Sequence, residues 1–408
     1  MKCPICLSND SNIFIDLGLQ PFSHFFFNES NLNSLRKSLV VSHCQNCGHF
    51  FNSNPIECEF KEKYSFLSSS SQTLKVESKR LAIDLIDYFY KKFSKKPNLI
   101  IEIASNDGSL LEELMLSSLE SKVVGIEPSS LAYKYSISKG HKVINDYFTY
   151  LNVNKIVQQI KGYPDIIVAR NVINHIQDIN DFFKGLEKIM SYNSILFLQG
   201  HYWLSLIENL NFDAIYHENY QYFSIKILIK LLKNYSINPI SVSFSESHGG
   251  SFCLMASKNP SLCKDFNNKS FEINEKEFFR KLPIIVDKFN CSLVNYKNNF
   301  LDFLNKKKEQ GKVVYGYGAP QKIVTLLNYF ELDNTTIKMV ADISPEKHNK
   351  YIPGTNIRIC DPEYLLKINA EVIIVFAWNY YEEIKKQLIN IGLSAEIISI
   401  EDFKTKLV

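Results

Sequence analysis

Residues 100–108 read Ile100-Ile101-Glu102-Ile103-Ala104-Ser105-Asn106-Asp107-Gly108, and they are the most informative part of the chain. An apolar strand pattern runs into a turn of small residues, and an apolar helix pattern follows over residues 110–116. A turn of this kind lets backbone amides approach a ligand closely at the N-terminus of a helix. We therefore expect a nucleotide-type cofactor above this turn.

The acidic residues of the turn discriminate between cofactors. A dinucleotide site requires Gly-x-Gly-x-x-Gly to hold a pyrophosphate, whereas this turn has a single glycine, Gly108. Glu102 and Asp107 repel a pyrophosphate but suit the cationic sulfonium and amino groups of S-adenosylmethionine. The next strand pattern ends in Glu127, at the position from which a carboxylate accepts hydrogen bonds from both ribose hydroxyls. Asp146, near the end of a third strand pattern, is expected beside the adenine.

Strand and helix patterns alternate outward from this turn. Buried-strand patterns occupy residues 99–103, 123–126, 143–144, 165–169 and 194–198, with helical segments between them. Residues 271–307 are typical of one or two long amphipathic helices, and strand patterns then resume at 312–316, 337–341 and 372–376. Alternation of this kind indicates parallel sheets covered by helices. The predicted fold class is α/β, with a Rossmann-like domain at residues 76–258 and a smaller α/β domain at 259–408.

The first 75 residues have a different character, with little periodic hydrophobicity and two Cys-x-x-Cys pairs. Cys3, Cys6, Cys44 and Cys47 can complete a tetrahedral site of four thiolates without an open position, which is typical of structural zinc. The alternative is a pair of redox-active dithiols, but a redox Cys-x-x-Cys normally opens a helix in a thioredoxin-like unit. Neither pair precedes a helix pattern, so residues 1–75 are predicted to be a zinc-binding domain.

Composition excludes several classes of protein. The 408 residues carry 46 basic and 43 acidic side chains, and this balance argues against a nucleic-acid partner. There is no run of 18 apolar residues, so we expect no membrane span. The N-terminus lacks an apolar run typical of a secretory signal. Nine unevenly spaced cysteines favour reduced thiols and a cytoplasmic location.

Three further polar segments are candidates for substrate binding or catalysis. Residues 170–175 follow the fourth strand pattern, and His175 should therefore lie at the carboxyl edge of the sheet, where open α/β folds bind ligands. Residues 216–223 combine three tyrosines with His, Glu, Asn and Gln, a set able to line a sugar-sized site. In the second α/β unit Lys322 follows a Gly-Tyr-Gly turn, where it could meet a phosphate.

Together these motifs resemble the sugar C-methyltransferases that build branched-chain deoxysugars. The resemblance spans nearly the whole chain, and its ordered motifs are the paired Cys-x-x-Cys module, residues 102–108, 125–129, 171–176, 216–218, 222–224, 248–251, 316–319, 342–347, 353–355 and 377–379. It implies a zinc module, an S-adenosylmethionine domain and a C-terminal domain that binds a nucleotide-linked 4-keto sugar, usually on thymidine diphosphate. In that family a base removes the C3 proton and the enolate attacks the sulfonium methyl group.

The resemblance also assigns residues to roles. The catalytic candidates are His175, Tyr216, Glu218 and Asn219. The cofactor candidates are Glu102, Ala104, Ser105, Asn106, Asp107, Gly108, Glu127, Asp146 and Asn171. The substrate candidates are Tyr64, Tyr222, His248 and Lys322.

Asn219 is the main departure from the family, which has histidine as the general base at this position. An amide does not accept a proton at neutral pH, so C3 deprotonation needs another group, and His175 is the candidate.

The alternatives are O- or N-methylation of a nucleotide sugar, or a non-catalytic relative that binds one. The intact cofactor turn argues against a non-catalytic relative. A dehydrogenase using the second α/β unit is disfavoured because its turn lacks the third glycine. A second departure is Phe66, where relatives have tyrosine in a pair that begins at Tyr64.

Overall fold

The computed structural model describes residues 2–23, 26–28, 35–56, 67–267 and 269–405. The strands within these ranges are β1 Ser11–Pro21, β2 Arg36–Cys44, β3 Phe50–Asn52, β4 Leu99–Ile103, β5 Lys122–Ile126, β6 Val143–Ile144, β7 Ile166–Arg170, β8 Ile195–His201, β9 Gln221–Tyr222, β10 Asn238–Ser245, β11 Ser251–Ser257, β12 Val314–Tyr317, β13 Met339–Ala341, β14 Arg358–Cys360, β15 Val372–Val375 and β16 Glu396–Ser399. The α-helices are α1 Gln72–Phe93, α2 Ser109–Ser117, α3 Ser130–Ser138, α4 Val153–Ile160, α5 Ile179–Ile189, α6 Trp203–Glu208, α7 Ile225–Asn234, α8 Lys269–Arg280, α9 Leu282–Glu309, α10 Ile323–Tyr329, α11 Pro362–Lys367 and α12 Tyr381–Asn390.

The central sheet has seven strands in the order β10-β11-β8-β7-β4-β5-β6. Strands β4 to β8 are parallel, and β10 and β11 form an antiparallel hairpin beside β8. All five residues of β4 are buried, as expected of an apolar run covered by helices on both faces. The chain reverses its direction of winding between β4 and β7, so a crevice opens there at the carboxyl ends of the strands. The Rossmann-like expectation is confirmed.

A second parallel sheet, in the order β14-β13-β12-β15-β16, contains the three strands predicted after residue 311. The short strands β14 and β16 were not predicted, because each has only three or four residues and begins with an exposed charged side chain. The helical region before this sheet divides into α8 and α9 at Lys281. Pro283, in the first turn of α9, fits this break because it cannot supply an N–H to a continuing helix.

The N-terminal segment forms a four-stranded antiparallel sheet in the order β1-β2-β3-β9. Its last strand, β9, comes from the middle of the chain, and Tyr222 of β9 pairs with Phe50 of β3. Phe14 on the same sheet packs against Trp203 of α6 and Phe289 of α9, with ring centroids 5.2 and 5.9 Å apart. The core of this sheet is therefore shared with both α/β units.

Helix α1 begins at Gln72, four residues before the predicted start of the Rossmann-like domain at residue 76. Ser71 caps the helix there by accepting a hydrogen bond from the Leu74 amide. Across the described residues, no helix has the length and apolar content needed to cross a membrane.

Candidate active site

The turn after β4 is held in a tight and unusual backbone conformation. Ala104, Asn106 and Gly108 have φ values of 56°, 51° and 81°, in the left-handed region that L side chains rarely adopt. A Cβ at position 108 would lie 2.1 Å from Nδ1 of His141, so only glycine fits there. Non-glycine residues in this region cluster where function requires the strain, and Asn171 and His248, which also line the cavity described below, share it.

Glu127 lies beside this turn at the end of β5. Its Oε2 accepts a hydrogen bond from the Asn106 amide at 2.7 Å and its Oε1 accepts one from the Ser129 amide at 2.7 Å. Burial raises the pKa of Glu127 to about 7. A carboxylate offers roughly four lone-pair sites, so two remain for the ribose hydroxyls expected here.

Glu102 is 3% exposed, and its Oε2 has no hydrogen-bond partner in the described structure. Burial raises the pKa of Glu102 to about 8, although Arg170 opposes the shift with an Nη2 3.6 Å from Oε1. An unpartnered carboxyl oxygen in a buried wall fits the ammonium group of S-adenosylmethionine. The buried, unpartnered hydroxyl of Ser105 and amide oxygen of Asn171 fit the same polar ligand.

These residues line one end of a cavity of about 330 Å³. The cavity passes the ends of β7 and β8 and reaches the second parallel sheet. Its residues near the cofactor turn are Glu102, Ala104, Ser105, Asn106, Glu127, Tyr147, Arg170 and Asn171. Those toward the second sheet are His175, Gln199, His201, Tyr216, His248, Lys322, Trp378 and Asn379.

Three of the proposed cofactor residues do not line this cavity. Asp107 is turned away from it, because its carboxylate accepts hydrogen bonds from the Ser109 hydroxyl at 2.6 Å and the Ser69 amide at 2.9 Å. Gly108 provides the backbone turn only. Asp146 forms an ion pair with Lys155 at 2.8 Å in a separate surface pocket, whereas its neighbour Tyr147 lines the cavity.

His175 lines the cavity at the start of its substrate half, and the residue is half-buried. Its Nδ1 lies 2.8 Å from the backbone oxygen of Glu218. Because a carbonyl only accepts hydrogen bonds, Nδ1 must carry the proton, and Nε2 holds the lone pair of the neutral ring. The Tyr216 ring lies beside it, with centroids 6.2 Å apart.

The rest of the segment 216–223 is placed differently from the expectation. Glu218 is fully buried and its carboxylate accepts hydrogen bonds from the amide and hydroxyl of Ser23 at 3.0 and 2.7 Å. Asn219 is fully buried and donates to the Ala214 oxygen at 2.7 Å, while Tyr222 packs on Trp203. None of Glu218, Asn219 and Tyr222 lines the cavity, so their direct contact with a ligand stays a prediction that this arrangement does not favour. Tyr64, like Phe66, falls outside the described residues.

Lys322 lies in the opposite wall, contributed by the second parallel sheet. Its Nζ is 3.5 Å from the centroid of the Trp378 ring, 3.7 Å from an Asp213 oxygen and 3.3 Å from Oδ1 of Asn379. Burial lowers the pKa of Lys322 to about 8, with Asp213 opposing the shift. The ammonium group is therefore held in place and still mostly protonated near neutral pH, as a phosphate site requires.

The turn after β12 is closed to a dinucleotide. Asp342, at the position of a ribose-binding acid, instead accepts hydrogen bonds from the Ala319 amide at 2.6 Å and pairs with Lys347 at 3.3 Å. A Cβ at Gly318 would lie 2.4 Å from that of Ala377.

The four cysteines of the N-terminal segment come together, with all four Sγ atoms within 4.8 Å of one another. Cys3 and Cys47 have Sγ atoms 3.6 Å apart, and those of Cys6 and Cys44 are 3.5 Å apart. A tetrahedral zinc with bonds of about 2.3 Å needs sulfurs about 3.8 Å apart. The donor set therefore fits zinc.

Several lining residues were not among the predicted site residues, and they include Arg170, Gln199, His201 and Trp378. The first three lie at the ends of β7 and β8, so extending the first strand pattern by one residue and the second by three would have found them. His201 is notable because burial lowers its pKa well below the usual value and its Nδ1 has no partner in the described structure. Trp378 lies in the motif 377–379 but was given no role, since its contacts with Lys322 and Asp213 join distant segments of the chain.

Two family descriptions match this chain. Residues 75–242 match the family described as "Methyltransferase domain", and residues 246–395 match "C-methyltransferase C-terminal domain". The C-methyltransferase NovU of Streptomyces niveus is 26% identical over 295 residues, which cover 70% of this chain and 68% of that protein.

Solved structures give more distant matches. The plantazolicin methyltransferase BpumL in complex with SAH is 13% identical, with a TM-score of 0.38, and the match covers 47% of this chain and 89% of that one. The magnesium protoporphyrin IX methyltransferase ChlM from Synechocystis PCC 6803 with bound SAM is 12% identical, with a TM-score of 0.34, over 45% and 81% of the two chains. Both matches are confined to about half of this chain.

Proposed function

We propose that the chain is an S-adenosylmethionine-dependent C-methyltransferase that methylates C3 of a nucleotide-linked 4-keto sugar. One observation carries this proposal: a single cavity joins the carboxylates at the cofactor turn to a wall of histidine, tyrosine and lysine side chains. Bound S-adenosylmethionine supplies an electrophilic methyl group there, and the chain must supply a base and hold the sugar.

The proposed reaction begins with loss of the C3 proton, which the adjacent ketone acidifies. The C3–H bond breaks, its electron pair passes to the enolate, and the proton goes to a base of the protein. A C3–methyl bond then forms as the sulfur–methyl bond breaks, which leaves S-adenosylhomocysteine and a branched 4-keto sugar.

We assign the base to Nε2 of His175. The hydrogen bond between Nδ1 and the Glu218 oxygen fixes the tautomer with its lone pair on Nε2, and the ring lines the cavity. Asn219 supplies no such group, and its amide is engaged with Ala214 in the core. Tyr216, also in the cavity wall, is positioned to hydrogen-bond the sugar.

The nucleotide diphosphate is assigned to the wall formed by Lys322. Trp378, Asp213 and Asn379 fix its ammonium group in the cavity wall. His248, on its strained turn, lines the same half of the cavity.

We further propose that residues 1–75 bind one structural zinc, residues 76–258 the cofactor and residues 259–408 the nucleotide. Support for zinc comes from the donor set and from sulfur separations near those of a tetrahedral site. Four thiolates leave no open position, so the metal would stabilise the fold and take no part in catalysis.

The test is hydrogen–deuterium exchange at C3 of thymidine diphosphate 4-keto-6-deoxyglucose in D2O, followed by NMR without S-adenosylmethionine. Wild type should exchange the proton, and His175→Ala should exchange it more slowly by roughly 10²–10⁴-fold, the usual contribution of a general base. His348→Gln is the matched control, because this histidine lies outside the cavity and should leave the rate unchanged.

The same experiment separates the alternatives. If wild type shows no exchange but methylates a hydroxyl or amino group of a nucleotide sugar, C3 methylation is wrong and O- or N-methylation takes its place. Absence of both exchange and cofactor turnover across a panel of nucleotide sugars would favour a binding protein.

A further inference from the structure

Arg170 is a cavity residue to which the proposed reaction gives no role. It ends β7, next to β4, and its side chain is 15% exposed. Its Nη1 donates to the Ser78 hydroxyl at 3.2 Å, which orients the guanidinium group from α1. Arg170 therefore presents a fixed positive charge at the cofactor end of the cavity.

The hydrogen-bonding capacity of this guanidinium is only partly used. Its Nε is buried and has no partner in the described structure. Its Nη2 is 3.6 Å from Glu102, longer than the 2.7–2.9 Å typical of a charge-assisted hydrogen bond. On the other side of this loose pair, Oε2 of Glu102 also lacks a partner. Arg170 and Glu102 thus lie side by side, and each has a buried polar atom without a hydrogen-bond partner in the described structure.

The cofactor ends in a group that complements this pair. The methionine part of S-adenosylmethionine carries an ammonium and a carboxylate on the same carbon atom, so its two partners must also be neighbours of opposite charge. We propose that Arg170 binds this carboxylate while Glu102 binds the ammonium group, with Ser78 positioning the guanidinium. Arginine suits this role because its planar fork binds carboxylates in a bidentate manner.

The other anion in the cavity would be the diphosphate of the sugar nucleotide. The position of Arg170 favours the cofactor, because its guanidinium adjoins Glu102, with 3.6 Å between Nη2 and Oε1, whereas Lys322 follows β12 of the second parallel sheet. The inference concerns the binding of S-adenosylmethionine and not of the sugar, so an experiment can contradict it without contradicting the proposed reaction.

The test compares the affinities of S-adenosylmethionine and decarboxylated S-adenosylmethionine, measured by calorimetry in the absence of a sugar. The decarboxylated compound keeps the ammonium and lacks only the carboxylate. Wild type should bind S-adenosylmethionine about 10–100-fold more tightly, the scale of a lost hydrogen bond between charged groups. In Arg170→Met this preference should fall below about threefold, while affinity for the decarboxylated compound is retained.

Two further variants test whether Ser78 positions the guanidinium of Arg170 and whether the effect is specific to these residues. Ser78→Ala should reduce the preference by about two- to tenfold, the range for one neutral hydrogen bond. Lys139→Gln is the matched control, because this lysine lies beside Asp107 but outside the cavity, and it should leave the preference unchanged.

Equal affinity of wild type for the two compounds would overturn the proposal, and this measurement does not depend on how any variant folds. An unchanged preference in Arg170→Met would overturn it as well. Weaker binding of thymidine diphosphate by Arg170→Met, with the cofactor preference intact, would assign the guanidinium to the substrate instead.

Discussion

Replacing Glu102 with glutamine should stabilise the cofactor-free protein in a pH-dependent way. Burial raises the pKa of this carboxyl group to about 8, against 4.5 for an exposed glutamate. Between these values the folded protein keeps the proton that the unfolded chain has lost. The folded state then binds more protons than the unfolded state, so wild-type stability falls as pH rises from about 4.5 to about 8.

The size of the effect follows from the same two pKa values. At pH 7 the unfavourable contribution is on the order of 3 kcal/mol, since one pKa unit corresponds to about 1.4 kcal/mol. Glutamine keeps the shape and the hydrogen-bonding capacity of the side chain but has no charge to desolvate. Glu102→Gln should therefore match wild type near pH 4.5 and gain on the order of 5 °C in melting temperature near pH 7.5.

The assay is thermal unfolding of the cofactor-free protein from pH 4.5 to 8, with Glu112→Gln as the control. Glu112 is an exposed glutamate on α2, and its replacement should leave the pH profile of wild type unchanged. Cofactor binding gives a second readout. If the ammonium group ionises Glu102, wild type should release up to about one proton on binding at pH 7, and Glu102→Gln should release fewer. Parallel melting profiles for wild type and Glu102→Gln, together with equal proton release, would refute the reasoning.

Three further outcomes are expected. Cys44→Ser should lose the bound zinc, about one per chain in wild type by metal analysis, whereas the exposed Cys291→Ser should retain it; full retention in Cys44→Ser would exclude the four-thiolate site. Glu127→Ala should weaken S-adenosylmethionine binding by roughly 1.5–3 kcal/mol in calorimetry, the scale for lost hydrogen bonds to a charged group, and an unchanged affinity would contradict its position on the ribose. Lys322→Gln should weaken binding of thymidine diphosphate and leave cofactor affinity unchanged; equal loss of both would place the lysine elsewhere.

The cofactor end of the site was predictable because its information is local. The sequence 100–108 contains the strand, the turn and the start of the helix, and Glu127 follows from the spacing of the next strand. Asp107, which was predicted to contact the cofactor, does not line the cavity, and the reason is non-local. Its carboxylate binds the amide of Ser69, 38 residues away, and no pattern in the turn indicates that partner.

The substrate end could be predicted only in part, because its residues depend on contacts between distant segments. The motif 216–219 correctly indicated a polar cluster, but neither Glu218 nor Asn219 points into the cavity. Likewise, the strand pattern ended at residue 198, whereas β8 continues to His201 because β11 pairs with it there. Tertiary pairing of this kind extends a strand beyond its apolar run.

The contacts of Glu218 explain how a glutamate outside the cavity can still matter to the chemistry inside it. Its carboxylate holds Ser23, which connects it to the N-terminal segment, and its backbone oxygen holds the Nδ1 proton of His175. The N-terminal sheet approaches the same region through the pairing of β3 with β9. The N-terminal segment is thus connected to His175 through Ser23 and Glu218. The same segment also reaches the cofactor turn, because the amides of Ser68 and Ser69 donate hydrogen bonds to the side chains of Asn106 and Asp107. We therefore expect the N-terminal module to position both the proposed proton acceptor and the turn that would hold the methyl donor.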